Sequence, residues 1–426
     1  MPRRKPVPLW TIVRKEIIAN LLSYKFFIVI LLTTLLLFTS FFVLYKDYKG
    51  RLADYELVRA KPGEPIAVLP PNPLSIFAKG LDEAMTRSFE VSRIGIAVFA
   101  GQKSGNIIFA YFPTPDFVYI VKVVLSLVAL LFGFDQISRE KESGVLRLML
   151  SNSVSRAKIL AGKWLGNFLS LSVPFLLVTL LGFALINLDP GVSFPASSIG
   201  RFFLLVLTAL IYIALFLSLG IFVSALTRRA ASSLVILLLI WTVSVFVVPN
   251  LGTLVSRQMV DVPSVKSLSE KQDQVWTREV LELIMESRAK NGRGTGDIAK
   301  NHFDAINREL NQMEEDYRNK FDRLVRLSKN INRLSPAASF VYASTELAGT
   351  GIGEESRLKE NVLRYKDSVL PNLERGEKQA AAFAYRYRSV GQVLAQGGLF
   401  DLTWLVFFNI LFFALGYVAF VRYDVR

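Results

Sequence analysis

Six stretches of the chain are nearly free of charge and run for about 17–25 mostly apolar residues, near 26–45, 117–134, 167–187, 200–224, 231–248 and 402–421. A helix rising about 1.5 Å per residue needs that length to cross ~30 Å of hydrocarbon, so each is predicted to be a transmembrane helix. Elsewhere the pattern is amphipathic. Leu9, Trp10, Val13, Ile17 and Leu21 recur at helical spacing opposite Lys15, Glu16 and Asn20. They predict an interfacial helix within 1–25 with an aromatic anchor, or a plain extension of the first span. From Phe303 through Ile306, Leu310, Met313, Tyr317, Phe321, Leu324, Leu327 and Ile331 to Leu334 the apolar positions step by three or four, with Asn, Glu, Lys and Arg on the other face. So narrow a stripe predicts a long helix in an antiparallel hairpin, with Leu268–Ile284 as partner and NGRGTGD, 291–297, as the turn. The hairpin either packs on itself as a stalk or docks a partner.

Charge orients these elements. Arg3, Arg4, Lys5, Arg14, Lys15 and Lys25 precede the first run, Arg228 and Arg229 follow the fourth, and Arg422 and Arg426 end the chain, whereas NLDPGVSFPASSIG between the third and fourth runs has no Lys or Arg. By the positive-inside rule both termini and segment 135–166 are cytoplasmic, and 46–116 and 249–401 lie outside. The fold expected is an all-α integral membrane protein of six transmembrane helices, with a helical extracytoplasmic domain between spans five and six. The 46–116 loop carries Pro and Gly clusters (KPGEP, LPPNP) and yields no assignable elements.

Segment 135–166 is longer than a loop requires. FDQISREKESGVLRLMLSNSVSRAKILAGKWLG holds nine charged residues between two apolar runs. After Arg139, the pattern EKESGVLRLML from Glu140 predicts one short helix with the acids Glu140 and Glu142 at its front, where they favour its dipole. Val145, Leu146, Leu148, Met149 and Leu150 follow, too few to span a bilayer, and SNS (151–153) breaks the pattern. A second helix is predicted to start from Ser153 or Ser155 as N-cap, to carry Arg156, Lys158 and Lys163 out of the membrane surface, and to run past Gly162 into the third span. Each of these three cations either anchors the loop to the membrane or touches a partner.

This 33-residue run resembles the cytoplasmic segment of permease subunits of type-2 ABC transporters. There an acidic stretch ending in Glu-x-Gly leads to a leucine-rich helix, a Ser-x-x-Val-Ser-Arg turn and Gly-Lys-x-x-Gly entering the next span. The six-span order extends the resemblance coarsely over the chain, and LSPAASFVYASTELAGTG (334–351) resembles a loop of a branch with large extracytoplasmic loops. The resemblance implies that Glu140–Lys163 docks on a separate cytoplasmic ATPase dimer, which binds ATP and Mg, and moves the attached spans. Carried over by position, Arg139, Glu140, Glu142 and Gly144 form the entry, Leu146, Leu148 and Leu150 the helix, and Ser155, Arg156, Lys158, Gly162 and Lys163 the turn and lever. It further implies a second permease copy or paralogue, a prokaryotic cytoplasmic membrane and outward transport. A contrasting reading is a mechanical or assembly factor whose outer helices pass motion to an extracytoplasmic partner.

The remaining composition narrows the classes. The chain has 426 residues, 52% of them hydrophobic, and a net charge of +15, which in a membrane protein reports orientation rather than nucleic acid. Without cysteine it has no disulfide, thiolate metal site or cysteine nucleophile. No G-x-x-x-x-G-K-[ST] occurs, so ATP hydrolysis is expected from another chain. The single histidine, His302, is expected to be solvated or structural rather than a metal ligand or triad base. Lys122 is expected to snorkel to the outer interface, and Asn409 and Pro174 to shape a pathway or a kink.

Overall fold

The computed structural model describes residues 8–59, 65–85, 88–92, 95–99, 114–150, 154–289, 295–375 and 382–423. Six helices in it are long and apolar enough to cross a membrane: Tyr24–Arg59, Phe117–Glu142, Arg156–Asn187, Ala196–Leu226, Ala230–Met259 and Val390–Val421. They contain the six runs read from the sequence, and several extend past them. The first continues to Arg59 because YKDYKGRLADYELVR, though polar, has no helix breaker except Gly50.

Elements used below are α1 (Leu9–Leu21), α2 (Tyr24–Arg59), β1 (Ile66–Val68), β2 (Ser88–Ser92), β3 (Gly95–Phe99), α3 (Ser126–Gly133), α4 (Ser138–Glu142), α5 (Val145–Leu150) and α6 (Arg156–Asn187). There follow α7 (Ala196–Leu226), α8 (Ala230–Thr242), α9 (Val248–Met259), α10 (Val265–Ala289), α11 (Thr295–Asn332), α12 (Pro336–Ala348), α13 (Ile352–Glu374) and α14 (Leu399–Val421). The described chain divides into two compact units, Met1–Val245 with Pro336–Arg426, and Phe246–Ser335.

In the first unit α7 is the most enclosed span, and it packs against α3, α12 and α14. The all-α expectation needs one correction. β1, β2 and β3 form an antiparallel sheet in that order, with Ala67 opposite Phe89 and Phe89 opposite Val98. Ala67, Leu69, Met85 and Val91 make a small core with Leu358, Val362, Tyr365 and Val369 of α13. Strands of three to five residues among Pro and Gly clusters leave too short an alternation to read from sequence. The 334–351 stretch also belongs with the spans: Phe340 of α12 stacks on Tyr212 of α7 with ring centroids 4.3 Å apart, and both are fully buried.

The second unit holds the predicted hairpin. α11 is one helix of 38 residues, about 57 Å long, packed on α10 and also on α9. Val275, Ile298 and Ile306 are buried, and Trp276 meets Phe303 at 6.0 Å between ring centroids. The second partner, α9, is seated where Thr253 Oγ1 lies 3.3 Å from Ser328 Oγ. Residues 291–294 of the expected turn lie outside the described residues, and its last three, Thr295, Gly296 and Asp297, are not turn but the first residues of α11.

Candidate functional site

The charged segment folds as two short helices and a lever. α4 carries Glu140 in its first turn, and its end is set by Gly144, whose φ of 73° is the left-handed conformation that closes helices and that a Cβ disfavours. Nothing lies within 4 Å of a Cβ built there, so conformation rather than space calls for glycine. α5 then turns one side inward and the other out. Leu146 is fully buried and Met149 partly so, whereas Leu148 is 69% exposed and Val145 43%. The side chain of Leu150 and residues 151–153 lie outside the described residues. Ser155 is the N-cap of α6, its hydroxyl accepting from Lys158 N at 3.4 Å.

Lys163 differs from its expectation. It does not reach outward but is 3% exposed, its Nζ donating to Glu140 at 2.7 Å and to Glu16 at 3.3 Å. A buried ammonium is tolerated only when paired, and two carboxylates from two other helices supply the pairing. Glu16 belongs to α1, so the cluster ties α1, α4 and α6 at one point. Next to it, Asn20 donates to Asn167 Oδ1 at 2.9 Å and to Ser170 Oγ at 3.2 Å.

The motif Gly162-Lys163-Trp164-Leu165-Gly166 explains how α1 comes so close. A Cβ on Gly162 would fall 2.7 Å from Ile12 Cγ2, and one on Gly166 2.5 Å from Glu16 Cβ. Two glycines four apart on one helix face let a second helix settle against the backbone. α1 is thus docked by Ile12, Val13 and Glu16, while Trp10, Ile18 and Leu21 are exposed. Sequence reasoning put Glu16 and Asn20 on a solvated face, and nothing in their spacing marked α6 as their partner.

Two other basic residues of the segment, Arg156 and Lys141, close helix ends, where C-terminal carbonyls lack partners. Arg156 donates to Phe420 O at 3.3 Å and Tyr423 O at 3.1 Å, capping α14. Lys141 donates to Ala225 O and, at 3.2 Å, to Thr227 O, capping α7. Glu142 Oε2 accepts from Ala230 N at 3.3 Å, the first turn of α8. Ile137 N and Ser138 N both donate to Ser224 Oγ at 3.0 Å. The segment is therefore bonded to the ends of α1, α6, α7, α8 and α14. Arg139, Glu142, Leu148 and Lys158 stay exposed, and with Val145 they form its outward surface.

Inside the bundle the polar groups bind one another. Asn409 Oδ1 accepts from Ser218 Oγ at 3.0 Å, and that hydroxyl also accepts from Trp164 Nε1 at 2.8 Å. Asn409 thus acts as an interhelical bond between α14 and α7, and α6 continues through Pro174 as one helix. Lys122 lies in a π-helical turn, 5.3 Å from the Tyr119 ring centroid. In the second unit, His302 Nδ1 is 2.9 Å from Glu279 and Nε2 3.2 Å from Glu286, and the Glu279 bond foremost holds its pKa above the ordinary histidine value. Glu282 stands close enough that its ligand atom and those of Glu279 and His302 lie within 4.8 Å of one another, so a proton on His302 and any cation would compete for the same carboxylates.

Comparison with known proteins follows this geometry. The family model described as "ABC-2 family transporter protein" matches residues 10–425. A probable ABC transporter permease protein NosY of Pseudomonas aeruginosa is 32% identical over 128 residues, 28% of this chain and 45% of that protein. Another so named, from Stutzerimonas stutzeri, is 30% identical over 122 residues, 28% of this chain and 43% of that one. The chain spans less than half the length of these curated relatives. The family match runs from α1, through the α4–α6 lever, to the last span, and the chain is a multi-pass membrane protein belonging to the ABC-2 transporter family.

Proposed function

We propose that the chain is the membrane-spanning permease subunit of an ATP-driven transporter, coupled to a separate cytoplasmic ATPase dimer that holds ATP and Mg. It works with a second copy or a similar permease in a prokaryotic cytoplasmic membrane, and export is the direction proposed. α4 and α5 meet the ATPase through Arg139, Glu142, Val145 and Leu148. The observation that carries this reading is the buried Glu140–Lys163–Glu16 cluster, because it fixes an exposed patch to the roots of α1 and α6. A push on Leu148 then moves the whole three-helix joint instead of bending a loop. Apolar side chains supply buried area at such a contact, and rim charges set its orientation. Membrane subunits of this family are generally not catalytic, which agrees with the missing phosphate loop.

The absence of cysteine permits a direct test. Leu148→Cys should form a disulfide with a cysteine placed in the ATPase groove, and Leu146→Cys, buried, should not. Equal adducts from both, or none from either, would sink the docking assignment.

A second reading is transmission of motion to an outer partner with little passing through the bilayer. It is favoured by the packed interior around Tyr212 and Phe340 and by the long α10–α11 hairpin. Deleting 265–332 separates the two: a conduit keeps some transport, whereas a transmitter keeps ATPase stimulation and loses all output.

A further inference from the structure

At the end of the first unit's helical bundle opposite Lys163, one arginine is buried without a partner. Arg201 stands on the second turn of α7 and is 4% exposed. Its Nε is wholly enclosed and unbonded, and among the described residues the side chain makes no hydrogen bond or ion pair. A guanidinium brings five N–H donors and a fixed charge that it does not surrender by losing a proton, so leaving it dry and unmatched is strongly unfavourable. Charges this deep are ordinarily paired.

The neighbouring carboxylates are already committed. Arg388, 5% exposed, donates from Nη2 to Glu346 and from Nε to Glu354, both at 2.6 Å. Glu354 also accepts from Tyr385 OH at 2.8 Å and has Arg357 Nη1 at 3.5 Å, and Glu346 accepts from Gly353 N at 2.9 Å. Among the described residues, three guanidinium groups, Arg201, Arg357 and Arg388, face the two carboxylates of Glu346 and Glu354, so within this group one positive charge is left over. Arg51 nearby does not alter the count, because Asp82 matches it.

The surroundings of Arg201 are rich in donors. A Cβ on Gly349, whose φ is 73°, would lie 3.1 Å from Arg201 Nη1 and 2.8 Å from Asn72 Nδ2, so both nitrogens converge on one stretch of bare backbone. Asn72 Nδ2 spends one hydrogen on Ala348 O at 2.7 Å and has a second to give. The Tyr387 ring closes the other side, its Cδ1 3.4 Å from the same point.

We propose that Arg201, with Asn72 beside Gly349, forms a binding site for an oxyanion, a phosphate group borne by a free anion or by a lipid headgroup. The guanidinium fork matches two phosphate oxygens at once, and the bound charge cancels the surplus of the Arg201–Arg357–Arg388 group. The ligand reaches the fork through the small part of the residue's surface that stays open. This site is independent of the ATPase-coupling reading, because it lies at the other end of the bundle and uses none of the same residues.

The test uses the full chain in dodecyl maltoside, a detergent without phosphate. Unfolding temperature is measured as sodium phosphate replaces sodium chloride at constant ionic strength and pH, and native mass spectra are recorded after exchange into phosphatidylglycerol nanodiscs. Wild type is expected to gain several degrees with phosphate or to retain phosphatidylglycerol, and the two arms tell the free anion from the headgroup. Arg201→Met should lose both responses, and Arg201→Lys, with charge but no fork, should keep a reduced one. If wild type and Arg201→Met respond alike, or wild type responds in neither arm, the proposal is overturned. Should Arg201→Met fail to fold, the Arg201→Lys comparison decides: a full wild-type response there overturns the bidentate site.

Discussion

Lys163 is the residue on which the joint turns, and its environment sets a quantitative expectation. Removing the cation leaves Glu16 and Glu140 buried with like charge, and Glu140 Oε2 is already enclosed without a partner. Breaking a buried pair from one side costs about 3–5 kcal/mol, so Lys163→Met should lower the unfolding temperature sharply. Adding Glu16→Gln and Glu140→Gln should return most of the loss; simple additivity of the three changes would show that no cluster exists. The sequence marked Lys163 through the motif it sits in but not its burial, because a lysine eight residues after an N-cap reads the same whether it snorkels or pairs. The acidic partner came from residue 16, and a contact that distant leaves no local trace. Gly144 was marked only by the family motif: the stretch from Glu140 reads as one short helix ending at Ser151, and the positive φ that splits it into α4 and α5 emerges in the structure. Among the leucines of α5, spacing could not say which faced inward, because a six-residue helix offers too little period.

At the level of elements, α1 is held by two glycines rather than by its own hydrophobic stripe. Gly166→Leu would place side-chain atoms inside the Glu16 Cβ contact, and overpacking of this kind costs about 1–3 kcal/mol. The expected result is a faster tryptic cut at Arg14 or Lys15 in the detergent-solubilised variant; an unchanged rate would mean that α1 is anchored by lipid alone. The α10–α11 hairpin carries a pH dependence of definite sign. Its His302 pKa is raised by the bond to Glu279, then by Glu286, so the imidazolium is the favoured form in the folded hairpin. The stability it adds is complete below the unfolded value of about 6.5 and is lost as pH rises through the higher folded value. Amide exchange in 265–332, corrected for intrinsic rates, should therefore quicken from pH 6 to pH 9, and His302→Ala should flatten that slope. The stripe of α11 was readable from Phe303 onward because its period persists for nine apolar positions to Ile331, whereas the helix's first residues were read as turn. α9 as its second partner was not, since that segment reads as the tail of an apolar run.

For the whole molecule, the six spans and the family were both written in the chain, the first in uncharged runs of membrane length and the second in a 33-residue motif. The small sheet was not, because its strands are too short to show an alternation, and neither were the burial of α12 beside Tyr212 and the excess charge at Arg201, because those two arise from packing between residues more than a hundred positions apart. The central claim is that the exposed side of α4–α5 is the handle by which an ATPase drives the spans. The most direct measurement is a detergent pull-down of the tagged chain from its own membranes, wild type beside Leu148→Asp and Glu142→Lys, with thermal unfolding run in parallel. The account predicts a nucleotide-binding subunit with wild type, its loss from Leu148→Asp by tenfold or more, and an unfolding temperature within a degree or two of wild type, because Leu148 is exposed. An undiminished yield of that subunit with both folded variants would contradict it.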